Sequence, residues 1–185
     1  MKNMLTALAG QPNCGKSTIF NMLTGARQYV ANYPGVTVEK KSGVFTQDGI
    51  RVTLVDLPGT YSLASWSPEE QAARQFILEE KPDLIISVLD ASTLEKSLYL
   101  CLQVLETGRP VLAAMNMLDV AAKRRIDVDA GALSASLGVP VVPVQASKGI
   151  GRQALREAIA GQKGVTVTEP PVNYGDLESS IARIV

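Results

Sequence analysis

The chain has 185 residues, enough for one α/β domain and little more. At that length roughly 70% of the unfolded surface goes into a core. Hydrophobic residues make up 46% and charged residues 19%, and 18 basic residues balance 18 acidic ones, which argues against a nucleic-acid module driven by bulk charge. There is no histidine, so His-based triads, proton shuttles and metal sites are excluded. The two cysteines, Cys14 and Cys101, lie far apart, which gives no disulfide framework and fits a reducing compartment.

Residues 4–9 form a short apolar run, a candidate buried strand. Ile19, Phe20 and Leu23 fall at helical spacing within 16–23. Residues 51–55 alternate as a strand does, and 68–80 open with a proline and two glutamates, a helix start. Residues 84–89, 111–115 and 139–144 read as central strands, and 94–106 and 152–159 as helices. Strands alternating with helices predict an α/β fold: a mostly parallel sheet with helices on both faces. In such sheets ligands bind beyond the carboxyl ends of the strands. No apolar stretch approaches the roughly 20 residues that cross a membrane, and the start lacks a signal peptide's apolar core, so the chain is expected to be cytosolic as it stands. Gly161-Gln162-Lys163-Gly164 and Pro170-Pro171 read as a linker, after which Leu177, Ile181 and Ile184 return at helical spacing. The expected division is a nucleotide-binding domain over 1–165, then a linker and the start of a truncated helical domain over 166–185.

Gly10-Gln11-Pro12-Asn13-Cys14-Gly15-Lys16-Ser17 fits G-x-x-x-x-G-K-[ST] between a predicted strand and a predicted helix. This is the P-loop arrangement of a P-loop NTPase. Glycines let backbone N–H groups curl around phosphates, and the helix N-terminus adds positive potential. Lys16 is expected to reach the β- and γ-phosphates and the Ser17 hydroxyl to ligate Mg2+, with Thr18 after it among the GTP-binding residues. Asp56-Leu57-Pro58-Gly59 closes what reads as the third strand and fits D-x-x-G. Asp56 would hold Mg2+ through water, and the Gly59 amide would sense the γ-phosphate. Asn116-Met117-Leu118-Asp119 resembles the guanine-reading N-K-x-D with methionine for lysine. Asp119 would accept from guanine N1 and its 2-amino group, a pair that adenine does not offer, while the Met117 stem covers the ring face. Gln145-Ala146-Ser147 resembles the S-A-K loop, in which the Ala146 amide would bond guanine O6. Four loops in this order, each after a strand, favour a small-GTPase-like domain over an ATPase. Thr60 stands where small signalling GTPases carry the glutamine that orients the attacking water.

The stretch 24–43, with Asn32-Tyr33-Pro34-Gly35-Val36-Thr37-Val38-Glu39 at its centre, joins Asp56-Leu57-Pro58-Gly59-Thr60-Tyr61-Ser62-Leu63 and Asn116-Met117. Together they resemble the bacterial ferrous iron transport protein B (FeoB) family over essentially residues 1–160. The resemblance implies GTP binding by Gly35, Val36 and Thr37 beside the four loops, with Thr37 as the first-switch threonine that ligates Mg2+ when GTP is bound. It implies a second switch over 61–70. It also implies a potassium ion held by the Asn13 side chain and by carbonyls near Ala31 and Tyr33. Ala31 stands where glycine is frequent, Tyr33 where tryptophan is frequent, and Gln11 where asparagine is usual. Lys16, Asn13, Thr37 and Gly59 would carry catalysis, with magnesium and potassium as cofactors. The implied partners are GTP and GDP, the family's own helical and membrane permease domains, small accessory iron-transport proteins and further copies of the chain, without nucleic acid. The implied place is the cytoplasmic face of the bacterial inner membrane, as part of a longer protein. Two alternatives stay open: a soluble potassium-dependent GTPase of ribosome assembly or tRNA modification, and a switch that binds GTP but needs a partner to hydrolyse it.

Overall fold

The computed structural model describes residues 2–25, 28–34, 36–64 and 66–161. Strand β1 (Lys2–Gly10) turns into helix α1 (Lys16–Thr24), followed by β2 (Gln28–Asn32), β3 (Glu39–Gln47) and β4 (Ile50–Asp56). Helix α2 (Pro68–Gln75) continues as a wider π-helical turn, Phe76–Glu80. Then come β5 (Leu84–Asp90), α3 (Leu94–Glu106), β6 (Val111–Asn116), α4 (Leu118–Lys123), α5 (Ala130–Leu137), β7 (Val141–Pro143) and α6 (Arg152–Ala160).

The strands form one seven-stranded sheet in the order β2-β3-β4-β1-β5-β6-β7. β4, β1, β5, β6 and β7 run parallel, and β3 is antiparallel to both β4 and β2. Successive residues of a strand face opposite sides, so β1 and β5 each feed two cores. Leu8 and Ile86 pack with Phe20, Leu23, Leu155 and Ile159 beneath α1 and α6. Ala7 and Ile85 pack with Ala73, Cys101, Val104 and Leu105 beneath α2 and α3. Both faces are covered, as the near-continuous apolar runs of the central strands require.

Several details differ from the sequence reading. Asp56 closes the fourth strand, because the chain inserts the β2–β3 pair before it. β2 is exposed throughout, and β3 buries only Gly43 and Phe45, so neither shows an apolar run. The signal that marks them is Asp48-Gly49, a two-residue link with φ of 50° and 75°, which pairs Gln47 with Ile50 as a tight hairpin. Helix α5 was also unforeseen, although Asp129 caps it through Gly131 N and Ala132 N and Gly138 ends it at φ 70°. The strand expected over 139–144 pairs only over Val141–Pro143. The domain boundary expected near 165 and the segment 166–185 lie outside the described residues.

Candidate nucleotide-binding site

The P-loop joins the C-terminal end of β1 to the N-terminus of α1. Gly15 adopts φ 87°, a left-handed conformation that favours glycine, and so turns the chain into the helix. A Cβ there would meet Asn116 Nδ2 at 2.1 Å. Gln11, Pro12, Asn13, Gly15, Lys16, Ser17 and Thr18 line a cavity of about 540 Å³, closed on its other sides by Gly59 and Met117. Asn13 is also left-handed, at φ 65°, and its side chain has no hydrogen-bonded partner among the described residues. The Gln11 amide, by contrast, turns away and donates to the Lys96 carbonyl on α3.

The cavity floor is charged. Lys16 Nζ donates to Asp56 Oδ1 at 2.5 Å, and both residues are buried. Ser17 Oγ lies 3.5 Å from Asp56 Oδ2. Asp56 owes its place to the β4–β1 pairing, which Leu57 N extends by donating to Leu8 O. Gly59 passes against Pro12, where a Cβ would meet the Pro12 N and Cα at 3.2 Å. The next amide, Thr60 N, donates to Gly10 O, and Thr60 is buried. Pro58 is half-buried, whereas the Leu57 and Cys14 side chains are buried in the cores, so these two residues can face the cavity only through their backbone.

The loops expected to read a base meet at Asn116. Its Nδ2 donates to Cys14 O at 3.1 Å, and its Oδ1 accepts from Ala146 N at 3.2 Å, both buried bonds. The Ala146 amide assigned to guanine O6 is therefore engaged with Asn116 in this structure. Met117, at φ 62°, starts α4 and lines the cavity, and Asp119 lies half-buried in the first turn of that helix. Gln145 pairs with Ile150, which closes the turn holding Ala146 and Ser147.

The first-switch residues are not brought to the cavity. Ala31 sits in β2 opposite Lys40 and is exposed; Thr37 is exposed and Val36 half-buried. None of these, nor Tyr33, borders the cavity. Gly35 lies outside the described residues. In the second switch, Glu70 accepts from Ser62 Oγ at 2.8 Å and from Trp66 N at 3.0 Å, and the Ser62 bond above all holds its carboxyl below the usual range. Trp66 is 90% exposed, so it does not serve local packing.

The cysteines have a pH consequence. Burial pushes the Cys14 thiol from 9.0 up to about 11, and that of Cys101 likewise to about 11. The folded chain keeps two protons that the unfolded chain releases. The stability they contribute is therefore full below pH 9.0 and is lost as pH rises through about 11. Urea unfolding across that range should show the decline, and replacing both cysteines by alanine should flatten it. Near neutral pH neither thiol should react with maleimide before unfolding.

Comparisons with known proteins fit this geometry. A family model for ferrous iron transport protein B matches residues 4–159. The Fe(2+) transporter FeoB of Shigella flexneri is 48% identical over 195 residues, an alignment that takes in 100% of this chain and 25% of that protein. The crystal structure of the G domain of the T. maritima FeoB iron transporter superposes with a TM-score of 0.81 at 48% identity, covering 86% of this chain and 98% of that one. The cytosolic domain of the same transporter in GMPPNP form gives 0.91 at 45% identity, covering 98% and 72%. The chain therefore belongs to the ferrous iron transport protein B family, which sets aside the ribosome-assembly and tRNA-modification alternative. It spans about a quarter of the length of the curated relatives it matches. Among the described residues no helix is long and apolar enough to cross a membrane.

Proposed function

We propose that this chain binds GTP and hydrolyses it to GDP and phosphate. On this reading its switches report the nucleotide state to membrane-spanning parts of a ferrous iron transporter at the cytoplasmic face of the bacterial inner membrane. Ferrous iron is the cargo of those other parts. The partners are the protein's own helical and permease domains, small accessory iron-transport proteins and further copies of the chain. The observation that carries the nucleotide reading is the pairing of Lys16 and Ser17, which line one cavity, with the Asp56 carboxylate behind them, a P-loop tied by Asn116 to the loops of a base site.

Ser17 and Asp56 suit magnesium. A serine hydroxyl and a carboxylate are hard oxygen donors, and they lie side by side at 3.5 Å. Ser17 would ligate the ion, Asp56 would hold it through water, and Thr37 would join when the first switch closes. Bound there, magnesium would neutralise charge between the β- and γ-phosphates. Asn13 lines the cavity with an amide that has no partner among the described residues, and with the Ala31 and Tyr33 carbonyls it would hold potassium. Lys16 leaves Asp56 for the phosphate oxygens and stabilises the charge that develops on them. Thr60 stands where an orienting glutamine would be and has no side-chain amide to hold water. Backbone groups of the switches, the Gly59 amide among them, position the attacking water instead.

Asp119→Asn tests the reading. An amide presents a donor where guanine also presents donors, so GTP should bind more weakly by about 1.5–3 kcal/mol. Xanthosine triphosphate should then be preferred, and in the full-length protein ferrous iron uptake should fall. Competition binding of GTP, ATP and xanthosine triphosphate checks the first two, and unchanged GTP affinity would remove Asp119 from the base site.

A further inference from the structure

Among the described residues of 28–38, Tyr33 alone is buried, at 4% exposure between exposed Asn32 and Pro34. Its Oη donates to the Asp56 main-chain oxygen at 3.2 Å. Its ring meets Phe76 edge-on, with centroids 6.2 Å apart at 88°. The Lys40 ammonium lies 5.0 Å from the Phe76 centroid and 5.7 Å from that of Tyr33. Its backbone closes the turn: Tyr33 N donates to Val38 O at 2.9 Å, and Tyr33 O accepts from Val36 N at 3.4 Å. One aromatic side chain thus pins an otherwise solvated segment to the end of β4 and to the helical stretch after α2.

We infer that Tyr33 is a positioning residue: its buried side chain latches the first switch away from the phosphate cavity and thereby sets how often Thr37 and the Tyr33 carbonyl reach the cation positions beside the phosphates. The latch bears on Asp56, the residue whose carboxylate faces Lys16 and Ser17. The same strand end therefore holds the switch through its carbonyl and the cavity floor through its side chain. The Tyr33 carbonyl is engaged with Val36 N, and Thr37 lies outside the cavity lining. Closing the switch requires both to move, and the phenol and ring contacts oppose that movement.

The catalytic consequence rests on the GTPase reading, whereas the latch itself does not. Tyr33→Phe keeps the ring and removes one donor, and a neutral hydrogen bond shifts a two-state equilibrium by about twofold to tenfold. Backbone amides of 28–32 should exchange hydrogen faster by that factor, and kcat for GTP in magnesium and potassium should rise similarly with GDP affinity unchanged. Amides of β5 and β6 should keep their exchange rates. If exchange at 28–32 stays at the parent rate, or speeds up while kcat falls, Tyr33 is packing alone and the inference is overturned. If the parent hydrolyses no GTP yet Tyr33→Phe still loosens 28–32, the GTPase reading falls and the latch stands.

Discussion

Exchanging sodium for potassium at equal ionic strength is expected to raise GTP turnover by the parent chain, and Asn13→Gly is expected to abolish that response. On the proposed GTPase reading, the charge developing between the β- and γ-phosphates would call for a cation beyond Lys16 and magnesium. Thr60 stands where an orienting glutamine would be, so that glutamine's amide is missing here. In GTPases with an arginine finger, a cation at this point is worth about 10³–10⁵ in rate, which sets the ceiling for potassium here. Asn13 lines the cavity with an amide that braces nothing, since its side chain has no partner among the described residues. Glycine is the replacement of choice because Asn13 sits at φ 65°, where alanine would add backbone strain. Nucleotide affinity should be largely kept, because the backbone cradle and Lys16 remain. Turnover of both proteins in the two salts is the measurement. Equal parent rates in potassium and sodium would defeat the potassium mechanism and leave water positioning by backbone groups as the catalytic account.

The parts of the site that chemistry fixes at short range were legible in the sequence. A P-loop needs its glycines, lysine and serine at set spacing, and the central strands show as apolar runs because helices cover both faces. What escaped was structure held from one side only. β3 buries two residues and β2 none, so periodicity is silent there, and only Asp48-Gly49 announces the hairpin. Contacts made across the sheet were equally hidden. Asn116 reads as one letter of a base motif, yet its bonds reach 102 residues back to Cys14 and 30 forward to Ala146. Tyr33 was expected to act through its carbonyl, and its buried ring was not foreseen. An aromatic in an otherwise solvated loop was the available hint, since such a ring is seldom left in water.

Gly15→Ala should be the most damaging single methyl in the P-loop, and Asn116 should be why. Two costs add. The φ of 87° is left-handed, which charges any L side chain about 1–2 kcal/mol. The new Cβ would also meet Asn116 Nδ2 at 2.1 Å. That amide has no room to yield freely, because swinging away strands Cys14 O and Ala146 N, both buried, at about 1–3 kcal/mol each. The expected destabilisation is about 3–8 kcal/mol, with loss of nucleotide binding as the P-loop and the base loops come apart. Gly138→Ala separates the two costs: its φ is 70°, but nothing lies within 4 Å of the added Cβ, so only the backbone term applies. Asn116→Ala supplies the second control. It removes the clashing amide, and the next neighbour of the Gly15 Cβ is the flexible Met117 Cε at 3.2 Å. Adding Gly15→Ala to Asn116→Ala should therefore cost much less than adding it to the parent, a coupling that urea unfolding of the four proteins measures. Simple additivity would mean that the clash relaxes without moving Asn116, and the three loops would then not share that one brace.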